Sequence, residues 1–212
     1  MTPMKQKKAN TKITDVSKAQ IILASSSPRR IAYLKELGVQ FHCVAPKIDE
    51  TIYENESPRD YVRRLAILKA KTVAKLHPQV WVLGADTTVV VDNEVLGKPK
   101  NSSDAKRMLN RLSGRTHHVL SGIALVNENR MKTKSAVSST RVTFRSLSRK
   151  EIECYTNTGE PFDKAGSYGA QGKGGLLLKR IEGSFSNVVG LPLEKFYELW
   201  ISESLPSLWN SP

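Results

Sequence analysis

Apolar residues recur along this chain at two spacings, and these spacings predict an alternation of strands and helices. Residues 21–24 are a short unbroken apolar run, as in a strand that is buried on both faces. Residues 28–37 place Ile31, Leu34 and Leu37 three positions apart, which indicates a helix that Gly38 is suited to end. The folded part of the chain is therefore predicted to begin as strand, turn and helix.

The same reasoning predicts the remaining elements. Further strands are expected at residues 41–45, 80–83, 88–91, 94–96, 118–126, 136–144 and 176–181, and further helices at residues 58–76, 102–114, 148–157 and 192–202. The strand at residues 80–83 is expected to end in Gly84-Ala85-Asp86-Thr87, and Asp92-Asn93 to form a hairpin turn. Because the first half is strand–helix–strand and the second half is richer in antiparallel pairs, we expect one α/β domain with a mixed sheet.

Composition narrows the class of protein. With 212 residues, 39% of them hydrophobic and 25% charged, the chain is expected to be soluble and to bury a sizeable core. We predict a basic mobile extension at residues 1–20, one domain at residues 21–205 and a tail at residues 206–212. No apolar run approaches the roughly 20 residues that span a bilayer, and the first 20 residues lack the apolar core of a secretory signal.

The two cysteines indicate a reducing, cytoplasmic location. They are too few for a disulfide framework or a four-ligand zinc site. Cys43 and Cys154 are instead expected to lie in the core as small apolar residues.

The net charge of +13 favours a polyanionic partner: nucleic acid, anionic lipid or nucleotide phosphates. Part of this charge lies in the first 20 residues and much of the remainder is scattered. The chain has no helix-turn-helix signature, zinc knuckle or aromatic-rich strand, which argues against nucleic acid as its main partner.

The segment Ser25-Ser26-Ser27-Pro28-Arg29-Arg30 is a candidate anion site. It joins the first strand to the first helix, so free backbone N–H groups and the helix dipole meet there. Arg29 and Arg30 add planar cationic groups that suit phosphate oxygens. The alternative is an ordinary serine cap followed by two solvated arginines.

Asp86 and Lys98 are further candidates. A carboxylate at the carboxyl end of an apolar strand lies at the crevice edge of an open α/β sheet, where Asp86 could hold a divalent cation or take a proton from water. Lys98, between Gly97 and Pro99, could neutralise a phosphate. The alternatives are a loop aspartate bonded to its own backbone and a solvated turn lysine.

Three more residues complete the set. Glu50, in an acidic loop, is a candidate metal ligand or base, and Lys69, in the following helix, a candidate phosphate clamp or part of a general basic surface. Gln171 lies in the glycine-rich segment 163–172, where its amide can both donate to and accept from the edge of a base. The alternative is a loop that needs glycine for its turns.

Taken together, these motifs resemble the Maf family of nucleoside triphosphate pyrophosphatases, also called septum-formation-inhibitor proteins. The matching stretches, in family order, are Leu-Ala-Ser-Ser-Ser-Pro-Arg-Arg (23–30), Asp-Glu-Thr (49–51), Tyr-Val-Arg-Arg-Leu-Ala (61–66) with Lys69-Ala70, Gly-Ala-Asp-Thr (84–87), Gly-Lys-Pro (97–99), Ser-Gly-Arg-Thr (113–116), Lys-Ala-Gly-Ser-Tyr-Gly-Ala-Gln-Gly (164–172) and Asn-Val-Val-Gly-Leu-Pro-Leu (187–193). The ordered set covers nearly the whole chain from residue 21; the basic extension before it is the main departure.

The resemblance implies a fold, a reaction and a cofactor. The fold is an elongated, two-lobed α/β structure with a mixed twisted sheet, flanking helices and a central cleft, as in inosine triphosphatases. The reaction is hydrolysis of a nucleoside triphosphate to the monophosphate and diphosphate with Mg²⁺ or Mn²⁺. A homodimer is a further expectation. The alternatives are a nucleic-acid-binding protein and a cell-division regulator without catalysis.

The resemblance also implies roles for individual residues. Asp86 matches the proton acceptor, and Arg29, Thr87 and Gln171 match positions linked to base choice, with the identities of the branch that acts on dTTP and UTP. CTP or modified pyrimidine nucleotides are further candidate substrates. Together with the chemistry above, this predicts the following sets: catalytic Asp86, Glu50, Lys69 and Lys98; phosphate-binding Ser25, Ser27 and Arg30; metal-binding Glu50 and Asp86.

Overall fold

The computed structural model describes residues 20–209 and contains a seven-stranded mixed sheet with helices on both faces. The strands are β1 (Ile21–Leu23), β2 (Phe41–Cys43), β3 (Trp81–Val91), β4 (Glu94–Leu96), β5 (Thr116–Asn127), β6 (Lys132–Phe144) and β7 (Leu178–Glu182). The helices are α1 (Pro28–Glu36), α2 (Pro58–Ala74), α3 (Ser102–Leu112), α4 (Arg149–Thr156), α5 (Phe185–Val189) and α6 (Leu193–Ser202). Short 3₁₀ turns cover Glu160–Asp163, Ala165–Ser167 and Gly172–Leu177.

The order of the strands confirms the predicted mixed sheet. It runs β2-β1-β3-β5-β6-β7, with β4 paired to β3 outside this path. Strand β1 is parallel to both β2 and β3, whereas β3, β5, β6 and β7 pair antiparallel. The parallel part comes from the strand–helix–strand first half of the chain, and most of the antiparallel part, apart from the β3–β4 pair, involves strands of the second half.

Strand β3 corrects the prediction of a strand that ends at residue 83. It continues through Asp86 to Val91, because nine of its residues pair with β5. On its other edge β3 pairs with β1 at residues 81–83 and with β4 at residues 89–91. In the described chain, residues 84–88 therefore have no strand partner on that edge. Asp86 lies at this gap, in the middle of a strand and not at its carboxyl end.

The two faces of β3 belong to different parts of the core. Trp81, Leu83 and Ala85 point to the face covered by α1 and α6, where Leu34, Phe196 and Trp200 pack against them. Val89 and Val91 pack on the same face against α3 and α4, in a separate cluster. The apolar core is thus interrupted near residues 86–88, beside the gap in the strand edge.

Helix α2 packs unusually close to the opposite face of the sheet. A Cβ atom at Gly84 would lie 2.1 Å from the carbonyl oxygen of Ala66, and one at Gly122 would lie 2.2 Å from that of Val62. Such distances are too short for any side chain, so both positions require glycine. The helix backbone therefore rests directly on the centre of β3 and β5.

The structure differs from the sequence-based expectations at the two cysteines and at one short helix. Cys43 and Cys154 are exposed and do not lie in the core, because Cys43 is on the terminal strand β2 and Cys154 on the outer face of α4. Helix α5 was not predicted, since five residues show too little periodicity.

The predicted extension at residues 1–20 lies outside the described residues except for Gln20. Among residues 20–209, no helix has both the length and the apolar composition needed to cross a membrane.

The close contact between α2 and the sheet can be tested by comparing two glycines. Gly84→Ala is expected to lower the free energy of unfolding by about 1–3 kcal/mol or more, because the new methyl group overlaps backbone atoms of α2. Gly97→Ala is the matched control, since no atom lies within 4 Å of its added Cβ. Both substitutions change the entropy of the unfolded chain alike. Equal stability of the two variants in urea unfolding would contradict the close packing.

Candidate active site

A single cleft of about 810 Å³ opens at the gap in the edge of β3. Its walls are the β1–α1 turn, the loop before α2, the β4–α3 connection and the segment of residues 160–172. All the site residues predicted from the sequence line it: Ser25, Ser27, Arg29, Arg30, Glu50, Lys69, Asp86, Thr87, Lys98 and Gln171. The chain thus brings together residues that are up to 146 positions apart in the sequence.

The Lys69 ammonium joins two carboxylates at the centre of the cleft. Its Nζ lies 2.6 Å from Asp86 Oδ1 and 2.7 Å from Glu50 Oε1. Lys69 and Asp86 are largely buried, whereas Glu50 is half exposed. Asp86 therefore does not bond its own backbone as a loop aspartate would, and Lys69 is not part of a general basic surface.

Burial and charge act on Asp86 in opposite directions. Removal from water raises the pKa of Asp86 above its ordinary value, because burial disfavours the charged form. The nearby cations of Lys69 and Arg30 oppose this shift. The net direction is upward, so this carboxyl group takes up a proton more readily than an exposed aspartate does.

Helix α2 also holds the loop that carries Glu50. The Tyr61 hydroxyl donates to the backbone oxygen of Glu50 at 3.0 Å. Arg64 donates to both carboxylate oxygens of Glu56, at 2.5 and 2.7 Å, and to the backbone oxygen of Thr51 at 2.9 Å. These bonds place Glu50 beside Lys69 although the loop has no regular structure.

The serine-rich turn is organised around Ser25 and Arg30. The Ser25 hydroxyl accepts from the backbone N–H of Ser27 at 3.1 Å and from Arg30 Nη1 at 3.2 Å. Ser27 is the N-cap of α1, and its side chain makes no capping bond. The N–H groups of the first helical turn have no partner within the helix, so this end of α1 remains suited to an anion.

All three side-chain nitrogens of Arg30 donate hydrogen bonds to other residues of the chain. Besides Ser25, it donates through Nε to the backbone oxygen of Gly190 at 2.8 Å and through Nη2 to Thr87 Oγ1 at 3.1 Å. Thr87 Oγ1 also lies 2.8 Å from Ser121 Oγ. Burial lowers the pKa of Arg30, and the carboxylate of Asp86 opposes this effect. Arg30 is therefore a fixed cation in the cleft wall, and Thr87 helps to hold it.

The glycine-rich segment forms the opposite wall. The Gly166 N–H donates to the backbone oxygen of Gly97 at 3.0 Å, which joins this segment to the turn that carries Lys98. A Cβ atom at Gly166 would lie 2.7 Å from Val89 Cγ2, so the segment needs glycine to approach β3. Gln171 is exposed on the cleft side of this wall.

Two carboxylates of this wall were missed by the sequence analysis. Asp163 Oδ2 accepts from Arg29 Nη1 at 2.9 Å across the cleft, which links α1 to the 3₁₀ turn Glu160–Asp163. Glu160 accepts from the backbone N–H groups of Lys173 and Gly174 at 3.2 and 3.0 Å. The position of Asp163 directly before the Lys-Ala-Gly motif was the available signal, but its partner lies 134 residues away.

The side chains in the cleft can supply only some of the ligands that a divalent cation such as Mg²⁺ requires. Among residues 20–209, no three His, Cys, Asp or Glu side chains converge on a common point. Glu50 and Asp86 both approach the same nitrogen, so two carboxylate oxygens are gathered at one place. This matches Mg²⁺, which uses one or two carboxylates and takes its remaining ligands from water and substrate phosphates.

The chain is similar to known proteins over most of its length. The family model described as Maf-like protein matches residues 20–202. A dTTP/UTP pyrophosphatase of Myxococcus xanthus (strain DK1622) is 50% identical over 191 residues, which are 90% of this chain and 96% of that protein. One of Dictyoglomus thermophilum is 48% identical over 183 residues, 86% of this chain and 95% of that protein. The solved structure of the Staphylococcus aureus Ham1 protein aligns with 86% of this chain and 96% of that one, with a TM-score of 0.49 and 17% identity. Because the family model spans most of the sequence and these relatives share about half of their residues with it, the chain belongs to the Maf-like protein family.

Proposed function

We propose that this protein hydrolyses nucleoside triphosphates, with dTTP and UTP as its main substrates, to the monophosphate and diphosphate. The observation that carries the proposal is the Asp86–Lys69–Glu50 cluster, which lies in one cleft with the open end of α1 and with Lys98. In the reaction, a water oxygen bonds to phosphorus while the P–O bond between the α and β phosphates breaks. The proton of the water passes to a base, and diphosphate leaves with the electron pair of the broken bond.

Asp86 is the proposed base that takes this proton. It is buried at the open edge of β3, and its raised pKa favours proton uptake. Lys69 holds the Asp86 carboxylate in place through the 2.6 Å contact. Lys69, Lys98 and Arg30 supply positive charge toward the phosphates, and Ser25 and Ser27 with the first turn of α1 supply hydrogen-bond donors. Glu50 and Asp86 are the proposed ligands of Mg²⁺ or Mn²⁺, which when bound offsets negative charge on the phosphates.

Base selection is assigned to Arg29, Thr87 and Gln171. Arg29 and Gln171 lie on opposite walls of the cleft, on α1 and on the glycine-rich segment. The Gln171 amide can both donate and accept, as the edge of a pyrimidine requires. Thr87 acts through Arg30, to which its hydroxyl is bonded. The relatives named dTTP/UTP pyrophosphatases support pyrimidine nucleotides, and CTP or modified pyrimidine triphosphates are further candidates.

A cytoplasmic location and a homodimer stay predictions from the sequence and the family.

The function is tested directly with a panel of triphosphates and Mg²⁺. Incubation with dTTP or UTP is expected to release the monophosphate and diphosphate in equal amounts, with slower turnover of ATP and GTP. A nucleic-acid-binding or regulatory protein without catalysis would release no diphosphate from any member of the panel. Release of orthophosphate alone would also contradict the proposal.

Asp86→Asn is expected to lower kcat for dTTP by about 10²- to 10⁴-fold, because the amide cannot take a proton. The melting temperature is expected to stay the same or rise, since burial of the ionised Asp86 costs stability at neutral pH. Asp92→Asn is the control: Asp92 is an exposed turn residue outside the cleft lining. Turnover of Asp86→Asn close to that of the control would remove Asp86 from the mechanism.

The pH profile tests the electrostatics of the same carboxyl group. As the base, Asp86 works deprotonated, so kcat/KM should fall as the pH drops through its pKa, which burial raises above 3.8. Because Lys69 lowers this pKa, Lys69→Gln should move the acid limb of the profile to higher pH. Titration of the substrate phosphates affects the parent protein and Lys69→Gln alike, so it does not contribute to the difference between their profiles. An unchanged or downward-shifted limb would contradict the coupling.

A further inference from the structure

The Arg29–Asp163 ion pair spans the cleft and has no role in the proposed steps of hydrolysis. Asp163 lies at the end of the 3₁₀ turn Glu160–Asp163, and its Oδ2 lies 2.9 Å from Arg29 Nη1. Its other oxygen, Oδ1, lies 2.6 Å from Lys164 Nζ. Burial opposes ionisation of Asp163, but the bonds from Lys164 and Arg29 outweigh it and lower its pKa. The carboxylate is therefore charged at neutral pH and bound on both of its oxygens.

This ion pair contributes little to the stability of the fold. The Asp163 side chain is 55% exposed and that of Arg29 26%. Ion pairs in contact with water stabilise proteins by about 0–1 kcal/mol, because solvent screens the attraction and two long side chains lose freedom. What the pair does determine is the direction of the Arg29 guanidinium, which would otherwise sample many rotamers on the first turn of α1.

The same 3₁₀ turn also holds the segment of Gln171. The Glu160 carboxylate accepts from the backbone N–H groups of Lys173 and Gly174, two and three positions after Gln171. The Tyr155 hydroxyl donates to Glu160 at 3.0 Å, and Lys164 Nζ donates to the backbone oxygen of Glu160 at 2.7 Å. One four-residue element thus bonds Arg29 at its last residue and the turn of Gln171 at its first.

We infer that Asp163 is a positioning residue for base selection: it holds the Arg29 guanidinium toward the wall that carries Gln171 and away from the phosphate-binding residues Ser25, Ser27 and Arg30. This inference rests on the proposed function and on the predicted roles of Arg29 and Gln171. With Asp163 in place, the two side chains face the base as a preformed pair, and little ordering is needed when a pyrimidine binds. Without it, Arg29 is free to turn toward the phosphates, which are common to all nucleoside triphosphates.

The test compares discrimination between bases rather than activity alone. For Asp163→Asn, the ratio of kcat/KM for dTTP to that for ATP should fall about ten-fold, the size expected from the loss of one charge-assisted hydrogen bond. The change should appear mainly in KM for dTTP, since Asp163 contacts none of the groups assigned to proton transfer. Asp163→Glu keeps the charge and should restore most of the ratio. The unfolding temperature should differ little among the three proteins.

Two further variants show whether the effect passes through Arg29. In an Arg29→Met background, Asp163→Asn should cause no additional loss of discrimination, as a double-mutant cycle requires of a residue that acts through its partner. Glu182→Gln is the control, because it removes an exposed carboxylate paired with Arg141 outside the cleft lining and should leave the ratio unchanged.

The outcomes separate this inference from the function on which it rests. An active parent protein whose discrimination is unchanged in Asp163→Asn would overturn the inference alone. An additional loss in the Arg29→Met background would also overturn it, because Asp163 would then act without Arg29. A parent protein that hydrolyses no triphosphate would overturn the proposed function and the inference with it.

Discussion

The contact between α2 and the centre of the sheet is the constraint on which the cleft depends. The helix backbone rests on Gly84 and Gly122 with no side chain between them. This places Lys69, the residue before Ala70 on that helix, within 2.6 Å of Asp86, two residues beyond Gly84 on the same face of β3. A buried carboxylate without a partner is strongly destabilising. Packing and electrostatics are therefore coupled here, because the contact that forms the core also provides the cation that Asp86 requires.

The gap in the edge of β3 explains how residues of a core strand can meet a ligand. Strands β1 and β4 each cover three residues of that edge and leave residues 84–88 open. Successive side chains of a strand point to opposite faces, so Asp86 joins Lys69 on one face while Thr87 joins Arg30 on the other. One short stretch of β3 thus contributes to both sides of the cleft. The pairing of β3 with β5 on its other edge keeps this stretch rigid.

Local patterns in the sequence predicted most of the elements, and ordered motifs predicted the site residues, but neither indicated how distant segments pair. The ends of α1 and β3 follow local signals: Gly38 adopts φ 68°, and Asp92 and Asn93 adopt φ 51° and 61° in the hairpin turn. Gly84 and Asp86 also suggested an end to the strand, but pairing with nine positions of β5 outweighs those preferences. The Arg29–Asp163 pair joins residues 134 positions apart, and no periodicity or spacing in the sequence relates them.

The cleft is less cationic than the net charge of +13 suggests, because its carboxylates are paired with its cations. Lys69 is shared by Asp86 and Glu50, and Arg29 is bound by Asp163. A cation that is already bound to a carboxylate attracts phosphate less strongly, but it is held in one position. Strong attraction for any phosphate would also retain the diphosphate product, and uniform binding of this kind does not accelerate the reaction. Cations with fixed positions can instead be aligned with the charge that develops as the P–O bond breaks. The ion pairs therefore lower the affinity for phosphate in general and hold the cations ready for the transition state.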